Sequence, residues 1–200
     1  MPRPRSLTPD RLATATLAVI DRDGLDALTM RAVAKELGMA TMSLYRYVTD
    51  RDELERLVAD HVLSTVNLTV PPGDWQERIT ELLSRMRSAV LAHAAVVPLL
   101  LRHRHSVPSS LVLIEATLAI LTDAGFAGQQ RVIAQRTIVA FLFGMLQNEH
   151  HGPLSGDGTA LMAAQEQFPL LAETAAAARN LAGDAEFAKG LAVVLRGLGS

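Results

Sequence analysis

The chain has 200 residues, enough for one small and one larger folded part, and its lack of cysteine excludes disulfides and thiolate zinc sites. It is 49% hydrophobic but only 4% aromatic, and rich in Ala and Leu, which favours helices over strands. A formal net charge of −2 excludes a generally basic surface, although residues 1–48 carry seven Arg and Lys against five carboxylates.

Residues 1–7, with Arg3 and Arg5, are expected to form a disordered basic arm. Thr8 then reads as an N-cap with Pro9 at the first helical position. The apolar face of this first helix is Leu12, Ala15, Ala18 and Val19, with Leu17 and Ile20 slightly off the stripe; it ends at Gly24. Thr29 caps a second helix whose inner face is Met30, Val33, Ala34 and Leu37. Gly38 follows the last periodic residue, where a left-handed C-cap favours glycine. Ala40 or Thr41 opens a third helix, with Met42, Leu44 or Tyr45, and Val48 inside, ending near Val48. Two short helices around a glycine turn make a helix-turn-helix, whose second helix is the one offered to the DNA major groove.

Thr49 or Asp50 caps a long fourth helix, expected over 50–69, and Pro71-Pro72-Gly73 stops it. Asp74 caps an amphipathic helix over 74–97, with Ile79, Leu82, Leu83, Met86, Val90 and Leu91 inward. Pro98 and Pro108 begin two more helices, the second running to Asp123 before Gly125. A long apolar helix is expected over 129–149, then a loop by composition at HHGPLSGDGT. Helices around 159–167 and 184–198 finish the chain, with an Ala-rich segment at 172–182 between them. No strand pattern or internal repeat is present, so the fold class is all-α: a three-helix DNA-binding part at 1–52 and a helical bundle at 53–200.

The run LTMRAVAKELGMATMSLYRYVTDRDEL resembles the DNA-binding signature of tetracycline-repressor-type (TetR) transcriptional regulators. The matching points are Gly24, Thr29 to Ala34, Leu37-Gly38, Ser43 to Tyr47, and Thr49 to Leu54. Asp74-Trp75, Arg78, Arg87, His93, Val107-Pro108, Leu118, Leu121 and Ala124-Gly125-Phe126 resemble the C-terminal domain of the tetracycline-repressor subgroup. The resemblance implies a homodimer, joined by its C-terminal helices, that binds a double-stranded DNA operator and responds to a small-molecule effector. It also implies departures. Asn67 stands where tetracycline-responsive members carry a ligand-contacting histidine on the fourth helix. The metal-binding histidine falls at or near His103, and the acidic metal-side position falls on Asn148, with Glu149 one place later. These departures argue against a tetracycline–magnesium effector.

The residues expected at DNA are Thr29, Arg31, Thr41, Met42, Ser43, Tyr45, Arg46, Tyr47 and Arg51. Arg31 is the candidate for a guanine; Thr29, Tyr47 and Arg51 are candidates for phosphates. The effector is expected against Asn67, Met86, Val90, Leu100, His103, Phe141, Met145 and Asn148, mostly apolar groups with a few polar ones to orient a ligand. No metal or cofactor is expected. His103 and His105 are two apart and point in different directions on a helix, so they read as exposed polar helix-end residues rather than joint ligands. No GxSxG elbow accompanies the serines near histidine, so no enzyme is expected. No signal peptide or run of about 18 apolar residues is found, which reads as a soluble cytoplasmic protein with no membrane partner. The competing reading is a helical small-molecule-binding protein whose helix-turn-helix is only structural.

Overall fold

The computed structural model describes residues 7–151 and 156–199. The expected basic arm, apart from Leu7, and part of the HHGPLSGDGT segment lie outside them. The described residues form eleven α-helices and no strand. These are α1 (Pro9–Asp23), α2 (Met30–Glu36), α3 (Thr41–Leu44), α4 (Arg51–Ser64), α5 (Trp75–Leu91), α6 (Val97–His103), α7 (Pro108–Asp123), α8 (Gly128–His151), α9 (Asp157–Ala163), α10 (Pro169–Ala178) and α11 (Gly183–Leu198).

Helix starts follow local chemistry. The Thr8 side chain accepts from the Arg11 amide at 3.3 Å, with Pro9 just inside the helix. Asp50 accepts from Glu53 N at 2.8 Å, while the Glu53 carboxylate reaches back to Thr49 N at 2.7 Å. Asp74 and Glu77 form a reciprocal capping box, Glu77 N to Asp74 at 2.9 Å and Asp74 N to Glu77 at 3.1 Å.

The chain divides into two compact units. Of the described residues, the first holds those from Leu7 to Leu68 together with Ser88–Ala116; the second holds Thr69–Arg87 and those from Thr117 to Gly199. In the first unit α1 packs on α4 and α2, α2 on α3, and α4 on α6. Leu12, Val19, Ile20, Val33, Leu44, Leu54 and Val58 are its buried centre near the N-terminus. In the second unit α11 packs on α8 and α9 on α10. Ile138, Leu142 and Leu146, at i, i+4 and i+8, form the buried stripe of α8, and Phe187, Leu191 and Leu195 that of α11. Arg87, 8% exposed, holds Glu149 and Asp184 at 2.6 Å each and lies 5.1 Å from the Phe187 ring centre, tying α5 to α8 and α11.

Several expectations are corrected. The buried face of α1 is Leu12, Ala13, Thr16, Leu17, Val19 and Ile20, with Ala15 and Ala18 only half-buried. Thr16 enters the core because its hydroxyl donates to Leu12 O at 2.7 Å. Helix α4 stops at Ser64, so Asn67 lies on the connection beyond it. The 74–97 helix is broken after Leu91 by a short 3-10 turn at Ala94–Val96. Helix α8 runs on through His151, and α9 starts at Asp157, so both ends of the expected loop are helical. The Ala-rich stretch is largely a helix, α10, opened by Pro169 and sustained by alanine propensity.

Phe187, 2% exposed, sits 5.6 Å from Phe141 and beneath Arg87. Phe187→Ala is expected to lower the unfolding free energy by about 3–5 kcal/mol, measured by urea unfolding of the full chain.

Candidate nucleic-acid interface

Helix α2 and helix α3 are separated by a turn that only glycine adopts without strain. Gly38 has φ +66°, its amide bonds to Lys35 O at 3.0 Å, and the Met39 amide bonds to Ala34 O at 2.9 Å. This pair of reversed bonds closes α2 and aims the chain into α3. The Thr29 hydroxyl accepts from Ala32 N at 3.1 Å and sets the other end of α2.

Helix α3 is shorter than expected, only Thr41–Leu44, and continues as turns through Tyr47. Its inner side is Leu44 and Val48, both essentially buried. Met42 and Tyr45, also expected on that inner side, point outward instead, 76% and 47% exposed. The two buried anchors are four apart, which leaves Met42, Tyr45, Arg46 and Tyr47 facing out, with Thr41 and Ser43 half-buried beside them. An exposed Met and two exposed Tyr in so small a head are costly in water. Arg31 and Lys35 on α2 and Arg46 after α3 are exposed and take no ion pair among the described residues. Arg22, in contrast, is held by Asp23 and Glu36. The outer side thus presents apolar and hydroxyl groups ringed by uncommitted cations.

Arg51, the remaining DNA candidate, is anchored. Its Nε donates to Glu55 at 2.9 Å and one terminal nitrogen donates to Leu25 O at 3.4 Å, although 46% of the side chain is exposed. Glu55 is the centre of an ionic cluster that sequence inspection passed over. It is 2% exposed, and Arg102 and His103 of α6 reach its Oε2 at 2.7 and 3.2 Å. The only sequence signal was the spacing of four between Arg51 and Glu55; the partners from α6 lie about 50 residues further on. The reading of His103 as an exposed helix end is corrected: it is 5% exposed, while His105 is exposed and apart from the cluster.

Burial alone pushes the Glu55 carboxyl up. The hydrogen bonds from His103 and Arg51, with the Arg102 charge, outweigh that and hold it below the usual carboxylate range. One donor atom each from Asp52, Glu55 and His103 lie within 4.8 Å of one another, a set able to hold a cation, but two guanidiniums already supply Glu55 with positive charge.

The effector candidates divide between the units. Val90, Leu100 and His103 are buried and Asn67 exposed in the first; Met86, Phe141 and Met145 are half-buried and Asn148 exposed in the second. Gly190 is matched to Phe141, whose ring would stand 3.0 Å from any Cβ there.

A short outward helix behind a glycine turn, on an all-helical scaffold, defines a helix-turn-helix protein of the DNA-binding kind. The model for "Bacterial regulatory proteins, tetR family" matches residues 12–56, and that for "Tetracyclin repressor-like, C-terminal domain" matches residues 69–200. The class A tetracycline repressor from transposon 1721 of Escherichia coli is 30% identical over 198 residues, 96% of this chain and 90% of that protein. The transcriptional repressor DrrR1 of Streptomyces coeruleorubidus is 32% identical over 185 residues, 89% of this chain and 67% of that one. Among solved structures, ActR of Streptomyces coelicolor in complex with actinorhodin superposes with a TM-score of 0.82 at 29% identity, covering 98% of this chain and 96% of that one. The chain belongs to the TetR family and is a helix-turn-helix transcriptional regulator. Among the described residues no single helix is long and apolar enough to cross a membrane.

A carboxylate whose folded pKa lies below its unfolded one adds stability above the unfolded value and loses it as pH falls through the folded value. The stability advantage of the wild type over Glu55→Gln should therefore shrink as pH drops below about 4.3, followed by urea unfolding across pH.

Proposed function

We propose that the chain is a cytoplasmic repressor that binds a palindromic duplex operator as a homodimer and leaves it when a small-molecule effector binds. The observation that carries this reading is the outward face of α3 and the turns that follow it, where Met42, Tyr45 and Tyr47 are exposed, as are Arg31 and Arg46, which take no ion pair among the described residues. A helix kept only for structure has no reason to hold three large apolar side chains in water. Arg31 reads a guanine; Thr41, Met42, Ser43, Tyr45 and Arg46 meet bases and sugars in the major groove; Thr29, Tyr47 and Arg51 hold phosphates. Positions 1–52 are the reading part and 53–200 the regulatory part.

Dimerisation is supported by two faces of the second unit. Ile133, Thr137, Ala140 and Gly144 on α8 are exposed, as are Ala188, Ala192 and Val193 on α11. These are small or apolar side chains at helical spacing, the kind that lets helices from two copies approach closely around a two-fold axis. The effector reading takes support from ActR, solved with actinorhodin, and from the tetracycline repressor. Its contacts are assigned within the second unit to the half-buried Met86, Phe141 and Met145, with the exposed Asn148 as the polar candidate. An amphipathic molecule of drug-like size fits this mixture. Operator release then follows only from a difference in effector affinity between the DNA-binding and the released states.

The test is selection of duplex DNA from a random pool by the full-length protein, expected to yield a palindrome with half-sites about one helical turn apart. In the same assay Arg31→Ala should relax preference at one base pair per half-site, a loss of about 1–3 kcal/mol of discrimination. Unchanged base preference would remove Arg31 from the reading set. A Val193→Asp, Ala140→Glu double variant should sediment as a monomer at micromolar concentration and bind the selected duplex far more weakly; a persistent dimer would move the interface elsewhere.

A further inference from the structure

Arg87 is a buried cation, yet one of its two carboxylate partners stands in open water. Glu149, its side chain 13% exposed, takes one edge of the guanidinium fork. Arg87 Nε lies 3.2 Å from both Glu149 oxygens, and Nη2 lies 2.6 Å from Oε1. Nη1 donates instead to Asp184 at 2.6 Å, and that side chain is 92% exposed. Around the fork the surroundings turn apolar. The guanidinium carbon lies 5.1 Å from the Phe187 ring centre, and Phe187 lies 5.6 Å from Phe141. Phe141, Met145 and Glu149 follow at a spacing of four along α8 and so share one face of it. Met86 directly precedes Arg87 on α5. All of these residues lie within the second unit.

We propose that Arg87 anchors an acidic effector, whose carboxylate replaces Asp184 on Nη1 while its apolar body lies against Phe141 and Met145. This rests on the effector reading above and names the chemical class of the ligand. The two carboxylates on Arg87 are not equally exchangeable. Glu149 is nearly buried, and pulling it from the fork would leave an ionised group short of donors. Asp184 gives up a single bond and is already hydrated, so its release costs as little as that of an exposed ion pair. Released, it stays in the first turn of α11, where negative charge is favoured. The exchange puts one carboxylate in place of another, so the charge facing the guanidinium is unchanged. Glu149 and Phe187 stay on the fork in both states, and the burial of Arg87 does not depend on Asp184. A neutral molecule of the same shape gains the apolar contacts but not the charge-assisted bond. The site therefore selects amphipathic molecules with a carboxylate at one end.

The probes are 1-pyrenebutyrate and 1-pyrenebutanol, which share an aromatic body and differ in the carboxylate. Each is titrated by fluorescence at neutral pH into full-length wild type, Asp184→Asn, Glu186→Gln, Arg87→Gln and Phe141→Ala. The wild type should hold the butyrate about tenfold more tightly than the butanol. Asp184→Asn removes the competing charge at an exposed position, where the fold is not at stake. It should tighten the butyrate about threefold or more and leave the butanol unchanged. Glu186→Gln, the same charge change two residues on, should move neither probe. Arg87→Gln should bring the two probes level, with circular dichroism reporting whether it folds; Asp184→Asn decides the matter if it does not. Phe141→Ala should weaken both probes by a similar factor, which ties them to the assigned contacts. Equal wild-type affinity for the two probes overturns the acidic class and leaves the effector reading standing. So does an Asp184→Asn effect that is absent, shared by both probes, or matched by Glu186→Gln. A wild type that binds neither probe, or a Phe141→Ala that alters neither, overturns the effector placement and takes the anchor with it.

Discussion

A carboxylate removed from water has to be met by positive charge, and at Glu55 that need is met from two directions. Arg51 approaches along α4 itself, and Arg102 and His103 come from α6. Hydrophobic burial brings α4 and α6 together, but it is non-directional and permits sliding. The ionic cluster adds direction, because a bidentate acceptor fixes which residue of one helix stands opposite which residue of the other. A buried ion pair is a poor source of net stability and a good source of register. In a regulator the second property is the useful one. A helix seated by hydrogen bonds to a single carboxylate has a small number of discrete positions rather than a continuum.

The second unit uses the same device at Arg87. Its guanidinium is nearly buried, bonded to Glu149 and Asp184, and stacked over Phe187. The aromatic ring covers the apolar face of the cation while the carboxylates take its edge. Phe141 and Gly190 complete the arrangement, since the ring occupies the space a side chain at 190 would fill. Glu149 is thereby committed to a structural bond.

The reading head has a different economy. Leu44 and Val48 anchor a helix of only four regular residues, too short to be stable by itself. Its conformation comes from the glycine turn before it and the capped start of α4 after it. Short supported elements of this kind present side chains with little freedom to move, which suits recognition of a rigid duplex groove.

The helix-turn-helix was legible in the chain itself because its determinants are local. Thr29 as a cap, Gly38 at positive φ, Pro9 at a first helical position, and Asp50 and Asp74 before their glutamates all act within four residues. Family membership followed from the same segment, since its spacing is constrained by one turn. Direction was less legible. Met42 and Tyr45 satisfy an apolar pattern as well as Leu44 does, and only packing against α2 showed which of them is buried. Alanine-rich 172–182 lacked an amphipathic stripe, so its helix was hidden from periodicity although propensity favoured it. His103 and Glu55 could not be paired from sequence at all. Nothing local distinguishes a histidine at a helix end that faces water from one that faces a carboxylate 48 residues away. Caps, turns and helix starts are settled by neighbours along the chain; the shared carboxylate, and the two helices it holds in register, exist only once the chain has folded back on itself.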